Sequence, residues 1–174
     1  MRHTWRNGIL SKRREVSARK IRRADQSDLA VVQGISADAY IAAYVPMLGY
    51  IPLPAEEDYV PRIERGEVWL LACGDSDIGV AVLEERRDHL LVYSIAVRPT
   101  EQGSGHGRAL LDFADQRAAA LGLTVIRLYT NMRMEKNVAL YRRHGYVETG
   151  TRPHPSRVGE VLVDMERVVP PSAS

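Results

Sequence analysis

Leu90 to Val97 (LLVYSIAV) is an apolar run of strand length that passes through RPTEQGSGHGR into ALLDFADQRAAAL, whose apolar residues recur at helical spacing. A strand that enters a helix through so short a glycine-rich loop must lay that helix against its own sheet, which places the chain among α/β folds. The loop itself, Gln102 to Arg108, has glycine at 103, 105 and 107. Glycine allows close approach to the backbone and positive φ, and a helix start presents free N–H groups at the positive end of its dipole, so the unit has the parts of an anion site. Arg108 strengthens that reading, because a cation in a first helical turn opposes the dipole by a few tenths to about 1 kcal/mol unless an anion sits beside it. A tight turn with a surface arginine accounts for the same residues without any ligand.

Strand-like and helix-like segments alternate along the rest of the chain without internal repeats. Ser17 to Ala24 alternates loosely and reads as a first, edge strand. Ser27 or Asp28 stands where an N-cap belongs, ahead of LAVVQGISADAYIAAY, and the proline-studded VPMLGYIPLP should end that helix. Ala55 to Arg65 reads as a shorter helix with a kink or break at Pro61. Three strands are expected at Val68 to Cys73, Ile78 to Glu85 and His89 to Val97. Beyond the glycine loop the pattern gives a helix from Arg108 to Leu121, a strand from Leu123 to Thr130, a helix from Glu135 to His144, and strands near Tyr146 to Thr151 and Val158 to Arg167.

Charge is unevenly distributed. Nine of the 24 basic residues but only one of the 22 acidic ones lie in residues 1–23, so the remaining chain carries 15 basic against 21 acidic side chains. A basic arm of this kind serves as a solvated tail, an Arg-rich targeting peptide or a nucleic-acid contact, whereas the acidic body offers no nucleic-acid face and weakly favours a cationic substrate. Cys73 is the single cysteine, which excludes a disulfide framework and a cysteine-based metal cluster; no metal site is read from the sequence. Tyr40 to Pro54, the most apolar long segment, is short and broken by proline, so no membrane span and a cytoplasmic location are expected. At 174 residues the chain supports one core, partitioned here into a basic arm (1–16), one domain (17–169) and a C-terminal tail (170–174).

A phosphate-binding loop of the G-x-x-x-x-G-K-[ST] type would need a lysine and a hydroxyl where His106-Gly107-Arg108 stands, and a dinucleotide fold would need an acid at the end of the next strand, which here ends in YTN. The loop instead matches Q-x-x-G-x-G through Gln102, Gly105 and Gly107, preceded by the strand end IAVRP. Downstream, LYTNMRMEKNVALYRRHGY supplies a strand, an asparagine, a helix with Asn-x-Ala-x-x-x-Tyr, and a glycine-aromatic step. Over Leu90 to Tyr146 these two segments resemble the GCN5-related N-acetyltransferase (GNAT) family.

The resemblance implies a mixed, mostly antiparallel central sheet of about six to seven strands flanked by about four helices. It implies acetyl-CoA as cosubstrate, with Gln102, Gly103, Ser104, Gly105, His106, Gly107 and Arg108 holding the diphosphate, mostly through backbone N–H groups. Ile95, Ala96 and Val97 would pair with the pantetheine arm where a bulge splays the strand, Asn137 would hydrogen-bond that arm, and Tyr141 would meet the sulfur as the catalytic acid. Asn137 and Tyr141 are four apart, so on a helix they share a face in any case. His106 reads as solvent-facing or near a phosphate, and Asn131 as a helix N-cap. The glutamate that some members use as general base is replaced by Leu91; Glu84, Tyr93, Ser94 and a water chain are substitutes among which none is assigned, each residue also having a structural reading, and an amine that loses its proton to solvent before binding needs no dedicated base. Tyr40, Tyr44, Met47 and Tyr50 could form an apolar lip to an acceptor pocket or a homodimer contact, and the loop Arg152 to Arg157 would shape that pocket for a small-molecule or peptide amine. Two other classes stay open: an acetyl-CoA-binding protein without transfer, and a nucleic-acid-associated protein that uses the basic arm.

Overall fold

The computed structural model describes residues 18–170; the basic arm up to residue 16 and most of the C-terminal tail lie outside the described residues. Seven strands form one sheet: β1 Arg19–Arg23, β2 Val68–Cys73, β3 Ser76–Glu85, β4 Leu90–Val97, β5 Val125–Asn131, β6 Val147–Pro153 and β7 Val161–Val168, in the order β1-β2-β3-β4-β5-β7-β6. Every neighbour pair is antiparallel except β4 and β5. Five α-helices accompany it: α1 Leu29–Leu48, α2 Leu53–Glu56, α3 Val60–Glu64, α4 His106–Ala120 and α5 Glu135–Arg143.

Strand alternation sorts the core into two layers. Val68 and Leu70 of β2, with Val80 and Val82 of β3, meet Val32, Ile35 and Ala39 of α1. Leu71 and Ala81, with Ile126 and Leu128 of β5, meet Leu110, Leu111, Ala114 and Ala118 of α4 on the other face. Covered on both faces, β3 is buried from Ile78 to Glu84, which is why its sequence reads as a nearly continuous apolar run.

β4 breaks this alternation. Val82 faces Ser94 and Leu83 faces Val92, so Tyr93 is an extra, bulged residue. The insertion inverts the phase of the strand: Val92 belongs to the layer under α4, whereas Ala96 belongs to the layer under α1. Parallel pairing with β5 stops at the same place, covering only Leu90, Leu91 and Val92. From Tyr93 onward β4 and β5 diverge while β5 stays zipped to β7 as far as Asn131.

Several expectations need adjustment. The basic run Arg19 to Arg23 is part of the sheet and not a free tail: Arg22 pairs with Asp28 at 2.7 Å, and Arg23 lies over the Trp69 ring. Asp25, not Ser27 or Asp28, supplies the capping side chain, through a reciprocal capping box with Asp28. The first helix runs past Pro46 to Leu48, because a proline in the last turns removes one hydrogen bond without preventing Gly49 N–H from closing the helix on the Val45 carbonyl. Residues 26–48 thus form a helical segment long and apolar enough, at mean hydropathy 1.2, to cross a membrane; Val32, Ile35, Ala39 and Tyr40 of this segment are buried in the core layer it shares with the sheet. The expected helix over 55–65 is two short helices, which raises the count from four to five, and Pro61 opens the second of them.

Arg62 of α3 holds these short helices to the sheet. Its buried guanidinium donates to Glu57 at 2.7 Å, Glu67 at 3.1 Å and Glu84 of β3 at 2.8 Å, and stacks 3.7 Å from the Tyr93 ring centroid. Truncating one member of a buried ionic network leaves its partners charged and unpaired. Arg62→Ala is therefore expected to lose about 3–5 kcal/mol of unfolding free energy, read as a lowered urea midpoint; a loss below about 1 kcal/mol would show the network to be dispensable.

Candidate functional site

The divergence of β4 from β5 opens the sheet, and two connected spaces form there. A groove of about 990 Å³ runs between α1 and α5 over Ile95, Ala96 and Val97 to the glycine loop. A smaller cavity of about 100 Å³ lies between Tyr93 and Ser94 on one side and Tyr129, Thr130 and Asn131 on the other. Tyr40, Met134 and Asn137 line both, so they mark the junction.

Gly103 and Gly105 both adopt left-handed φ, +81° and +80°, which only glycine takes without strain. Gly105 is the N-cap of α4 and has no capping side chain, so the N–H groups of the first helical turn point into the groove without a protein side-chain partner. The side chain of Gln102 does not face a ligand: its amide donates to the Val97 carbonyl at 2.9 Å and ties the loop to the end of β4. Ser104 gives its carbonyl to Arg19 at 2.7 Å, which fastens the loop to β1.

His106 departs from the solvent-facing expectation. It is buried, its Nδ1 has no hydrogen-bond partner, and its Nε2 lies 4.0 Å from Glu101. Burial first and Arg19 second push its pKa below the ordinary value, so the ring is held neutral. Arg108, Lys136 and Arg143 line the groove, and among the described residues none of them has a carboxylate partner.

Asn137 and Tyr141 lie one turn apart on α5, as the spacing requires. Asn137 accepts from the Tyr44 hydroxyl at 2.6 Å and donates to the Met134 sulfur at 3.8 Å. Tyr141 is 6% exposed, lines the cavity, and makes no hydrogen bond through its hydroxyl to the described residues. Burial, then the neighbouring Tyr44, raises its pKa, which keeps the hydroxyl protonated. Of the three residues expected at the open strand edge, Ile95 has a carbonyl that accepts from Tyr40 at 3.2 Å, Val97 has one that accepts from Gln102, and Ala96 is packed under α1.

The three side-chain substitutes for the missing glutamate separate clearly. Glu84 is engaged by Arg62 and Arg86 and does not reach the cavity. Ser94 is buried on the cavity wall. Tyr93, placed by the bulge, lines the cavity and donates its hydroxyl to Glu57 at 2.7 Å. Asn131 is not a helix N-cap; that position is Met134. It accepts from the Arg133 N–H at 2.9 Å and donates to Glu160 at 2.6 Å and to the Tyr50 hydroxyl at 3.0 Å.

The four residues expected to form one lip are divided. Tyr44 and Met47 line the groove, Tyr50 lines the cavity, and Tyr40 lines both. Sequence reasoning missed Tyr129 and Thr130, which reach the cavity only because β4 has moved away from β5. It also did not single out His154 and Arg157 within the loop it named. Elsewhere Asp112, Asp115 and His144 gather within 4.8 Å of one another, and Arg167 donates to both Asp115 oxygens, at 3.2 and 3.0 Å, which offsets that carboxylate from within the protein.

Residues 64–148 match the acetyltransferase (GNAT) domain model. The chain is similar to the IAA acetyltransferase of Azospirillum brasilense, 37% identical over 31% of this chain and 35% of that protein. It is also similar to the uncharacterized N-acetyltransferase YvbK of Bacillus subtilis (strain 168), 30% identical over 53% and 61% of the two chains. The matched region thus spans about a third and about three fifths of these curated relatives. Among solved structures, the PaiA N-acetyltransferase of Thermoplasma acidophilum in complex with coenzyme A superposes with a TM-score of 0.72 at 15% identity, over 87% of this chain and 99% of that one. With the open, mostly antiparallel sheet, these matches assign the GNAT fold, and residues 64–148 carry the likeness to the GNAT acetyltransferase domain.

Tyr141 and Tyr146 are both buried and make no hydrogen bond through their hydroxyls to the described residues. Tyr146, packed edge-on to Tyr141 at 5.9 Å, buries its hydroxyl without any partner. Removing an unsatisfied buried hydroxyl should not destabilise, so Tyr146→Phe is expected to leave the unfolding free energy unchanged or raise it by about 1 kcal/mol or more. A loss of more than 1 kcal/mol in urea unfolding would show that the hydroxyl has a bonding partner in solution.

Proposed function

We propose that the protein is an N-acetyltransferase that moves an acetyl group from acetyl-CoA to a primary amine of a small molecule or peptide by direct attack. The observation that carries this reading is the break between β4 and β5, with an uncapped glycine loop at one end and a protonated, unbonded tyrosine hydroxyl in the cavity beside it. The match of residues 64–148 to the GNAT acetyltransferase domain and a structural relative solved with coenzyme A support it.

The residues present fit such a cosubstrate. The first-turn N–H groups after Gly105, together with Arg108, Lys136 and Arg143, supply fixed donors and mobile cations for a polyphosphate. Ile95, Ala96 and Val97 offer a strand edge that β5 does not cover, and Asn137 offers an amide beside it. Bound there, acetyl-CoA supplies an activated acetyl group and a thiolate leaving group. Tyr141 donates a hydrogen bond from its Oη to the departing sulfur. Its raised pKa keeps that proton in place at neutral pH, and a thiolate in the same apolar setting is more basic too, which offsets the weaker acid. Tyr93 accepts the proton of the attacking amine as its own passes to Glu57, which the 2.7 Å contact permits.

The glycine loop is tested through Gly107, whose φ is unexceptional and whose added Cβ would meet only Leu140 at 3.4 Å. Acetyl-CoA should raise the melting temperature of the wild-type protein while ATP and NAD do not. Gly107→Val should fold but lose most of that shift, and a shift equal to wild type would remove the loop from the binding site.

The two phenols are tested in one thiol-release assay. Tyr141→Phe keeps the packing and removes a contact made mainly in the transition state. Turnover should fall by about 10²-fold at every pH, with the acetyl-CoA melting shift intact. Tyr93→Phe should instead lower the rate near neutral pH and recover it at alkaline pH, where the amine arrives deprotonated. Wild-type turnover in either variant would remove that residue from the mechanism.

A further inference from the structure

The cavity that would receive the amine carries one formal charge, and it is positive. Arg157 lines it beside Tyr40, Tyr50, Tyr93, Tyr129 and Tyr141, and no carboxylate does. Glu160, the nearest acid on that loop, is engaged by Arg133 at 2.9 Å and Asn131 at 2.6 Å. Among the described residues Arg157 has no acidic partner; its guanidinium is stacked 4.5 Å from the Tyr50 ring centroid. Stacking satisfies the face of a guanidinium and leaves its in-plane N–H edge available, the geometry that binds a carboxylate with two hydrogen bonds.

His154 completes the arrangement. Its Nδ1 accepts from the Ser156 N–H at 3.2 Å. Burial, then Arg157, lowers its pKa, so the ring is neutral and the remaining proton lies on Nε2. The loop between β6 and β7 thus presents a cation and a neutral N–H donor to a space otherwise lined by tyrosines, aliphatic side chains and uncharged polar groups. That combination is unfavourable to a polycation, whatever the acidity of the chain beyond residue 23 implies for long-range attraction.

Resting on the acetyl-transfer reading above, we propose that the acceptor is a primary amine that also carries a carboxylate, an amino-acid-type substrate whose anionic end is read by Arg157 and whose apolar body packs among the tyrosines. The amine end then lies toward Tyr93 and Tyr141, and the carboxylate toward the loop that carries His154 and Arg157.

The test uses matched pairs that differ only in the carboxylate: phenylalanine against 2-phenylethylamine and tyrosine against tyramine in the thiol-release assay, and the corresponding N-acetyl compounds in direct calorimetric binding without acetyl-CoA. The carboxylate-bearing member should be preferred by about 10-fold or more in kcat/KM and in affinity. Arg157→Gln should erase that preference by weakening the carboxylate-bearing member alone, with the acetyl-CoA melting shift unchanged. Equal or better use of the decarboxylated amines, or an Arg157→Gln loss that is the same for both members, overturns the inference. If no amine is acetylated, acetyl transfer fails while the N-acetyl binding pairs still decide the role of Arg157: a carboxylate preference lost in Arg157→Gln sustains it, and no preference overturns it.

Discussion

One extra residue in one strand, Tyr93, is the constraint on which the site depends. Without it, Val92, Ser94 and Ala96 would share a face and β4 would continue to pair with β5 past Leu128. With it, the phase inverts, the two strands separate, and a strand edge with unpaired backbone groups is exposed inside the protein. Such an edge is costly unless something else answers its polar groups. The structure answers part of the demand from within: the Tyr40 hydroxyl bonds the Ile95 carbonyl and the Gln102 amide bonds the Val97 carbonyl. Core layers on both faces of β3 and β4 hold the distortion in place.

The same bulge turns Tyr93 toward Glu57, which lies in the short link between α2 and α3. That link has almost no secondary structure of its own to fix it, and Arg62 serves instead. By binding Glu57, Glu67 and Glu84 at once, it joins the link, the start of β2 and the end of β3. A lone arginine in this layer would be strongly unfavourable, and so would three half-buried carboxylates without it. Their mutual satisfaction fixes the Glu57 carboxylate where the Tyr93 hydroxyl can reach it. The Tyr93 wall of the cavity and the stability of the helix-to-sheet connection therefore rest on the same ions.

Much of this was legible in the sequence because it is local. The strand, glycine loop and helix were marked by composition and period, and the positive φ of Gly103 and Gly105 is the reason those residues are glycine. Asn137 and Tyr141 share a face by helical geometry. What could not be read is what depends on distant pairing. The bulge in this strand was expected from the family resemblance alone and is found, but nothing in LLVYSIAV itself puts it at the fourth residue, and so nothing exposed Tyr129 and Thr130 as cavity residues. The burial of His106 was hidden for the same reason: flanked by two glycines it looks solvated, yet the turn of the loop folds it into the protein. Arg157 looked like one more charged loop residue, since only tertiary contact shows that every nearby acid already has a partner.

The two phenols in the cavity show how one physical effect can leave two hydroxyls with different surroundings. Burial is the first cause of a raised pKa in both Tyr93 and Tyr141. In Tyr141 no acceptor follows among the described residues, so the hydroxyl keeps its proton free to donate to negative charge that develops beside it. In Tyr93 the Glu57 carboxylate accepts, which raises the pKa further and gives the proton somewhere to go when the oxygen is itself protonated. Desolvation alone would have made two equivalent donors. The placement of one carboxylate behind one ring makes them different, and that carboxylate is held there by Arg62 on the far side of the wall.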